Sequence, residues 1–135
     1  MSASRPVEAA ALAGLVEAAQ RVQQHAYAPA SRFHVGAAVR TSSGRVFVGC
    51  NVENASYGLT VCAERTAVFK AVSEGVRSFR RIAIYCPTPQ PSVPCGACRQ
   101  VLAEFAPRLE LVICCDGPEV RRVTLEQLFP DPFLL

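Results

Sequence analysis

Apolar residues recur at helical spacing near the start of the chain. Between Pro6 and about Tyr27 these residues are Leu12, Leu15, Val16, Ala19, Val22 and Ala26. Glu17, Gln20 and Gln24 fall on the opposite face, so the segment is predicted to be an amphipathic helix. Because the polar face carries few cations, we expect this helix to pack on a sheet and not to lie on a membrane surface.

Strand and turn patterns dominate the rest of the chain. β-rich or apolar segments are predicted as strands at 33–40, 45–52, 82–86, 109–115 and 120–124. Residues 41–44 join the first two as a hairpin, and Asp116-Gly117 joins the last two, which are therefore antiparallel. Two further helices are predicted, one from Cys62 to Gly75 and one from Cys95 to just before Pro107. The expected result is a mixed five-stranded sheet with helices on both faces.

Length and charge limit the classes of function. A chain of 135 residues is expected to form one domain, residues 1–135. The net charge is only +3, from 14 basic and 11 acidic residues, and no run of like charge exceeds two. We interpret Arg80-Arg81 and Arg121-Arg122 as solvated positions at strand ends. A nucleic-acid partner is therefore not expected.

Seven cysteines cannot all pair within one chain. The segment Met1–Pro6 lacks the apolar core of a secretion signal, and no segment is apolar for long enough to cross a bilayer. We therefore expect free thiols, a cytoplasmic location and no membrane association. Four cysteines are interpreted as small buried apolar side chains, namely Cys50, Cys86, Cys114 and Cys115.

The other three cysteines have the spacing of a catalytic metal site. Cys62 stands alone, and Cys95 and Cys98 form a C-x-x-C pair, with no fourth ligand near either segment. Four protein ligands are typical of a structural zinc site, whereas three leave a position for water. Glu64 is too close to Cys62 to be an obvious ligand, but it is well placed as a general acid or base. The predicted helix N-termini at both segments favour thiolates.

Several motifs in order along the chain resemble those of the small, three-cysteine cytidine deaminases. They are Phe33–Ala38, Gly49–Ala55, Cys62–Ala67, Ala71–Gly75, Pro94–Val101 and Leu128–Pro130. The resemblance covers nearly the whole chain. It implies a three-layer α/β/α fold, one Zn²⁺ per chain, and hydrolysis of cytidine and 2′-deoxycytidine to the uridine forms in pyrimidine salvage. It also implies a homotetramer with shared active sites.

The resemblance further assigns roles to individual residues. Cys62, Cys95 and Cys98 are the implied zinc ligands, Glu64 moves protons, and Arg65 donates hydrogen bonds to the thiolates. The implied substrate contacts are Phe33 on the pyrimidine ring, Asn51 and Glu53 on the ribose 3′-hydroxyl, Ala63, Tyr57, and Phe133 from a neighbouring subunit. His34 departs from the family pattern, which usually has Pro at this position. We expect His34 to be exposed or locally hydrogen-bonded.

Simpler roles are open for most of these residues. Arg65 is otherwise a surface charge, Asn51 a turn residue, Phe33 a core aromatic, and Phe133 part of a frayed terminus. Glu64 is otherwise a carboxylate that stabilises a helix N-terminus.

Other functions are open for the whole chain as well. A deaminase of a cytosine-bearing antibiotic such as blasticidin shares the zinc motifs, but the Asn51-x-Glu53 pair favours a nucleoside. A polynucleotide deaminase is disfavoured by the low positive charge. A non-catalytic zinc module is the alternative from another class, and it has no use for Glu64.

Overall fold

The computed structural model describes residues 4–135, so residues 1–3 of the segment assessed above for a secretion signal lie outside the described residues. The elements in chain order are α1 (Ser4–Gln23), β1 (Gly36–Thr41), β2 (Val46–Cys50), a single 3-10 turn (Tyr57–Leu59), α2 (Ala63–Ser73), β3 (Phe79–Tyr85), α3 (Gly96–Phe105), β4 (Glu110–Cys114), β5 (Arg121–Thr124) and α4 (Leu125–Leu128). Among the described residues, no helix is both long and apolar enough to cross a membrane.

The strands form one sheet in the order β2-β1-β3-β4-β5. β3 and β4 pair in parallel, and the other three neighbouring pairs are antiparallel. The predicted mixed five-stranded sheet is therefore confirmed, as is the antiparallel pairing of its last two strands. The parallel pair is possible because α3 carries the chain back across the sheet between β3 and β4.

Side chains alternate between two buried layers on either side of the sheet. Ala38 and Ala83 face Leu15 and Ala19 of α1 in the smaller layer. The larger layer lies on the other face, where Val39 and Ile82 pack with residues of α2 and α3. Helices therefore cover both faces of the sheet, which confirms the predicted three-layer α/β/α arrangement.

Two glycines allow the helices to approach the sheet closely. A Cβ atom at Gly36 would lie 2.0 Å from the carbonyl oxygen of Ala19 in α1. A Cβ atom at Gly49 would lie 2.4 Å from the backbone nitrogen of Ala67 in α2. Any larger residue at either position would push a helix away from the sheet. For α2 this would also move Cys62, which lies directly before the helix.

Several element boundaries differ from the prediction. The first helix ends at Gln23 and not near Tyr27, because the Tyr27 backbone N–H donates to the carbonyl oxygen of Asn51 beside the sheet. The first strand begins at Gly36 and not at Phe33, because the Asn51 side chain forms hydrogen bonds with the Phe33 carbonyl oxygen and the Val35 N–H. The short α4 was not predicted, although Thr124 and Gln127 form a capping box that is readable in sequence.

Two predictions about the surface and the thiols need correction. Arg81 is not a solvated strand-end residue: its side chain is 17% exposed and contacts Glu8 and Glu110 at 3.3 and 3.0 Å. Of the four cysteines expected to be buried, Cys50 is only partly buried and the other three are buried.

Candidate active site

The N-termini of α2 and α3 bring the three predicted ligands together. Cys62 is the N-cap residue of α2 and Cys95 that of α3, and neither side chain caps its helix. The Sγ atoms of Cys62, Cys95 and Cys98 lie within 4.8 Å of one another, and those of Cys62 and Cys95 are 3.7 Å apart. Tetrahedral zinc with Zn–S bonds of about 2.3 Å would separate two sulfurs by about 3.8 Å. The donor set therefore fits zinc in both chemistry and spacing.

Glu64 lies in the first turn of α2, one residue after the helix begins. It is 5% exposed and lines the same pocket as Cys62 and Cys95. Burial, with a smaller effect from the nearby Cys62 charge, raises the pKa of Glu64 to about 7. A carboxyl group that titrates near neutrality can both accept and donate a proton. A carboxylate that only stabilised the helix N-terminus would not need to be buried to this extent.

Arg65 does not lie free on the surface of α2. Its Nη2 atom donates to Cys62 Sγ at 3.4 Å, and its Nε atom is buried without a hydrogen-bond partner among the described residues. Hydrogen bonds from Cys98 and, to a lesser degree, from Arg65 lower the pKa of the Cys62 thiol and so favour its thiolate form. The alternative of a solvated surface charge is therefore wrong for Arg65.

A pocket of about 240 Å³ opens beside the cysteine cluster. Besides Cys62 and Cys95, five of the predicted residues line it, namely Phe33, Asn51, Glu53, Ala63 and Glu64. Phe33 is 38% exposed, so the alternative of a core aromatic is wrong.

Several residues that the sequence patterns did not single out also line this pocket. Ile84 and Cys86 come from the carboxyl end of β3, Val93 precedes the C-x-x-C pair, and Ser31 lies in the loop before Phe33. Ile84 and Cys86 could have been found from their position at the carboxyl end of a predicted strand, because ligands commonly bind beyond the carboxyl ends of strands in α/β sheets. Cys86, interpreted only as an apolar core residue, is thus also part of a pocket wall.

The Asn51 side chain is bound to the loop of residues 30–35. Its Oδ1 atom accepts the Val35 N–H at 2.8 Å, and its Nδ2 atom donates to the Phe33 carbonyl oxygen at 2.7 Å. One N–H of the Asn51 amide is left for another partner. The predicted turn role of Asn51 and a substrate role are therefore compatible.

Glu53 is bound to the same loop through its carboxylate. Its Oε1 atom accepts the N–H groups of Ala30 and Ser31 at 2.9 and 3.1 Å, and its Oε2 atom accepts the Ser31 hydroxyl. A carboxylate has roughly four lone-pair positions, so one remains for another donor. Asn51 and Glu53, which both line the pocket, thus keep one donor and one acceptor available.

Within one chain, two of the predicted substrate contacts lie away from this pocket. Tyr57 is 77% exposed and lines a separate surface depression, and Phe133 is 72% exposed. The Phe133 carbonyl oxygen accepts a hydrogen bond of 2.7 Å from Gln100 Nε2, which joins the C-terminal segment to α3.

His34 forms a local contact, as predicted. Its Nδ1 atom lies 3.0 Å from the carbonyl oxygen of Arg32, a residue with a left-handed backbone at φ 58°.

Comparison with known proteins agrees with the geometry. Residues 11–115 match the model of the cytidine and deoxycytidylate deaminase zinc-binding region. A cytidine deaminase from Halalkalibacterium halodurans is 48% identical over 88% of this chain and 91% of its own length. A blasticidin-S deaminase from Bacillus cereus is more distant, at 34% identity over 74% of this chain and 76% of its own length.

The fold comparison gives the same result. The crystal structure of cytidine deaminase from Burkholderia pseudomallei superposes with a TM-score of 0.86 at 51% identity, covering 89% of this chain and 97% of that one. The family model covers most of the chain, and the cysteine cluster lies where a zinc-binding region requires it. The chain therefore belongs to the cytidine and deoxycytidylate deaminase family of zinc-dependent hydrolases.

Proposed function

We propose that this chain, folded as one domain, hydrolyses cytidine and 2′-deoxycytidine to uridine and 2′-deoxyuridine with release of ammonia. The observation that carries the proposal is the buried Glu64 carboxyl group beside three clustered thiols in a nucleoside-sized pocket. Such a reaction would serve pyrimidine salvage, and we propose a cytoplasmic location for it.

Cys62, Cys95 and Cys98 would hold one zinc ion per chain. When bound, zinc acts as a Lewis acid that makes water a better nucleophile at neutral pH. Glu64 would take a proton from the attacking water and deliver it to the pyrimidine ring nitrogen beside the amino-bearing carbon. It would then take the remaining proton of the added hydroxyl group and deliver it to the amino group, which leaves as ammonia while the carbonyl group forms. Its pKa of about 7 suits both directions of transfer. Arg65 would offset the negative charge of the thiolates through its hydrogen bond to Cys62.

The ribose end of the pocket supports a nucleoside substrate. A sugar hydroxyl donates one hydrogen bond and accepts others, which matches the free acceptor position of Glu53 and the free N–H of Asn51. We assign this contact to the ribose 3′-hydroxyl. Because the contact does not involve the 2′ position, both cytidine and 2′-deoxycytidine would bind. Phe33 would lie against the pyrimidine ring, and Ala63 would contact the base as part of the pocket wall.

The charge of the pocket disfavours phosphorylated substrates. Among the described residues, no lysine or arginine lines it, whereas Glu53, Glu64 and the thiols do. A 5′-phosphate would therefore lack a positive partner and would be repelled. The same argument disfavours a polynucleotide.

We further propose that the active enzyme is a homotetramer in which the sites are shared. Tyr57 and Phe133 are exposed and lie outside the pocket of their own chain, which is expected if they reach the pocket of a neighbour. Burial of these aromatic rings against another subunit would stabilise the assembly.

A spectrophotometric assay with zinc-loaded protein tests the proposed function. Cytidine and 2′-deoxycytidine should be turned over, whereas cytosine, cytidine 5′-monophosphate and single-stranded DNA should react at least about a hundred-fold more slowly. Faster turnover of blasticidin S than of cytidine would favour the antibiotic deaminase. Stoichiometric zinc with no turnover of any of these compounds would favour a non-catalytic zinc module.

A further inference from the structure

The hydroxyl group of Ser31 connects two parts of the pocket that are far apart in sequence. It donates a hydrogen bond to Glu53 Oε2, and it accepts the backbone N–H of Phe33 at 3.0 Å. One oxygen atom therefore contacts both the carboxylate at the ribose end and the backbone of the residue that faces the base. Ser31 itself lines the pocket.

We propose that Ser31 is a positioning residue, which aims the Glu53 carboxylate at the ribose 3′-hydroxyl and fixes Phe33 over the base. The inference rests on the proposed function, because it assigns the ribose contact to Glu53. Nothing in the motif pattern of the metal site requires a serine at this position. The hydrogen-bond geometry alone carries the assignment.

The contact to Glu53 is more than a local turn. A serine hydroxyl often accepts a backbone N–H two residues ahead, and the bond from Phe33 is of this kind. The bond to Glu53, in contrast, spans 22 residues. Together with the N–H groups of Ala30 and Ser31, it gives the carboxylate three donors from two adjacent residues. The orientation of Glu53 is therefore set by this loop.

These donors also leave only one oxygen atom of Glu53 with a free acceptor position for the substrate. Two N–H groups occupy Oε1, so the remaining acceptor position lies on Oε2, next to the Ser31 hydroxyl. Without that hydroxyl, Oε2 would have two open positions, and the carboxylate would rotate more freely. The Ser31 hydroxyl bond is also the main cause that lowers the pKa of Glu53, so it helps to keep this acceptor charged.

The backbone conformation of the loop of residues 30–35 depends on hydrogen bonds around Arg32. Arg32, between Ser31 and Phe33, has a left-handed backbone at φ 58°, which is uncommon for a residue with a side chain. Two hydrogen bonds close this turn around Arg32: the Phe33 N–H donates to the Ser31 hydroxyl, and the His34 ring contacts the Arg32 carbonyl oxygen. Loss of the Ser31 hydroxyl would therefore also loosen the backbone of Phe33.

The test compares cytidine with 3′-deoxycytidine in zinc-loaded wild type, Ser31→Ala and Ser31→Thr. A hydrogen bond to a charged group corresponds to about a ten- to hundred-fold change. Because Ser31 acts through Glu53, we expect Ser31→Ala to lower kcat/KM for cytidine about ten-fold, mainly through a higher KM. Ser31→Thr keeps the hydroxyl and should stay within about three-fold of wild type. Ser78→Ala is the matched control, because its exposed hydroxyl pairs with Ser42 away from the pocket.

The ratio of kcat/KM for the two substrates separates positioning from a purely structural role. In wild type, removal of the 3′-hydroxyl should lower kcat/KM strongly, and in Ser31→Ala this penalty should shrink several-fold. An unchanged penalty in Ser31→Ala would overturn the role of Ser31 while leaving the ribose contact intact. If wild type does not distinguish the two substrates, the ribose contact itself is wrong, and the role of Ser31 falls with it. Should Ser31→Ala fail to fold, Ser31→Cys keeps the size with a weaker donor, and the same ratio decides.

Discussion

Arg65 donates a hydrogen bond from Nη2 to the Sγ atom of Cys62, which lies 3.4 Å away at the N-cap of α2. The two residues are one helical turn apart, so the local geometry of α2 fixes the contact. Three thiolates give zinc a net negative surrounding, which weakens it as a Lewis acid. A guanidinium that binds one thiolate withdraws part of that charge. We therefore expect Arg65 to affect a bound metal although it is not one of the three clustered thiols.

Arg65→Gln should lower turnover of cytidine or the affinity for zinc by about ten- to a hundred-fold, the usual cost of losing a partner of a metal ligand. Turnover and zinc retention against a competing chelator would measure the two effects. Arg45→Gln is the matched control, because Arg45 makes an exposed ion pair with Glu74 away from the cluster. Equal behaviour of the two variants would contradict the role of Arg65.

Glu64→Gln should nearly abolish turnover while zinc content and thermal stability stay close to wild type. Loss of general acid/base catalysis alone costs a factor of about a hundred to ten thousand. Because the same carboxyl group serves several proton transfers, the loss should be at the upper end of that range. A Glu64→Gln enzyme that keeps half of the wild-type turnover number would rule out the mechanism.

Elemental analysis of the purified protein should find one zinc per chain. Simultaneous replacement of Cys95 and Cys98 by Ala should remove the metal and the activity, because only one of the three clustered thiols remains. Cys50→Ala serves as the control, since Cys50 lies outside the cluster. Zinc retained by the double variant would place the metal elsewhere.

Mixed assemblies can show whether Phe133 acts on a neighbouring subunit. Phe133→Ala chains, which lack the aromatic cover, are refolded together with Glu64→Gln chains, which lack the proton carrier. If the cover acts between subunits, some sites combine an intact Glu64 with an intact Phe133, and activity rises above that of either parent. No gain on mixing would show that Phe133 serves its own chain or has no role.

Glu110→Gln should lower stability near neutral pH but not in acid. Burial alone raises the pKa of Glu110, but the hydrogen bond from Arg122 and the charge of Arg81 outweigh it and hold the pKa below the usual value of a glutamate carboxyl group. The stabilisation is therefore present above the unfolded pKa and lost as the pH falls through the folded pKa. Because the carboxylate is partly exposed, we expect a contribution of at most about 1 kcal/mol. Thermal melts at pH 7 and pH 3 would check this, and an equal difference at both values would contradict it.

Features that depend only on neighbouring residues could be predicted from the amino-acid sequence. Local spacing and turn chemistry predict the helix N-termini at Cys62 and Cys95 and the left-handed Gly75 after α2. The C-x-x-C pair also predicted the metal chemistry, because two ligands on one helical turn must face the same side. These features need no knowledge of how the chain packs.

The way in which distant segments form one pocket could not be predicted from local sequence. The contacts of Asn51 and Glu53 with the loop of residues 30–35 span 16 to 23 residues, and a serine such as Ser31 has many local partners available in sequence. The partial burial of Arg81 likewise depends on Glu8 and Glu110, which α1 and β4 bring from opposite ends of the chain. Local sequence preferences do not determine which of these partners a side chain contacts. The free energy of each contact depends on the burial and geometry that the assembled sheet and helices create.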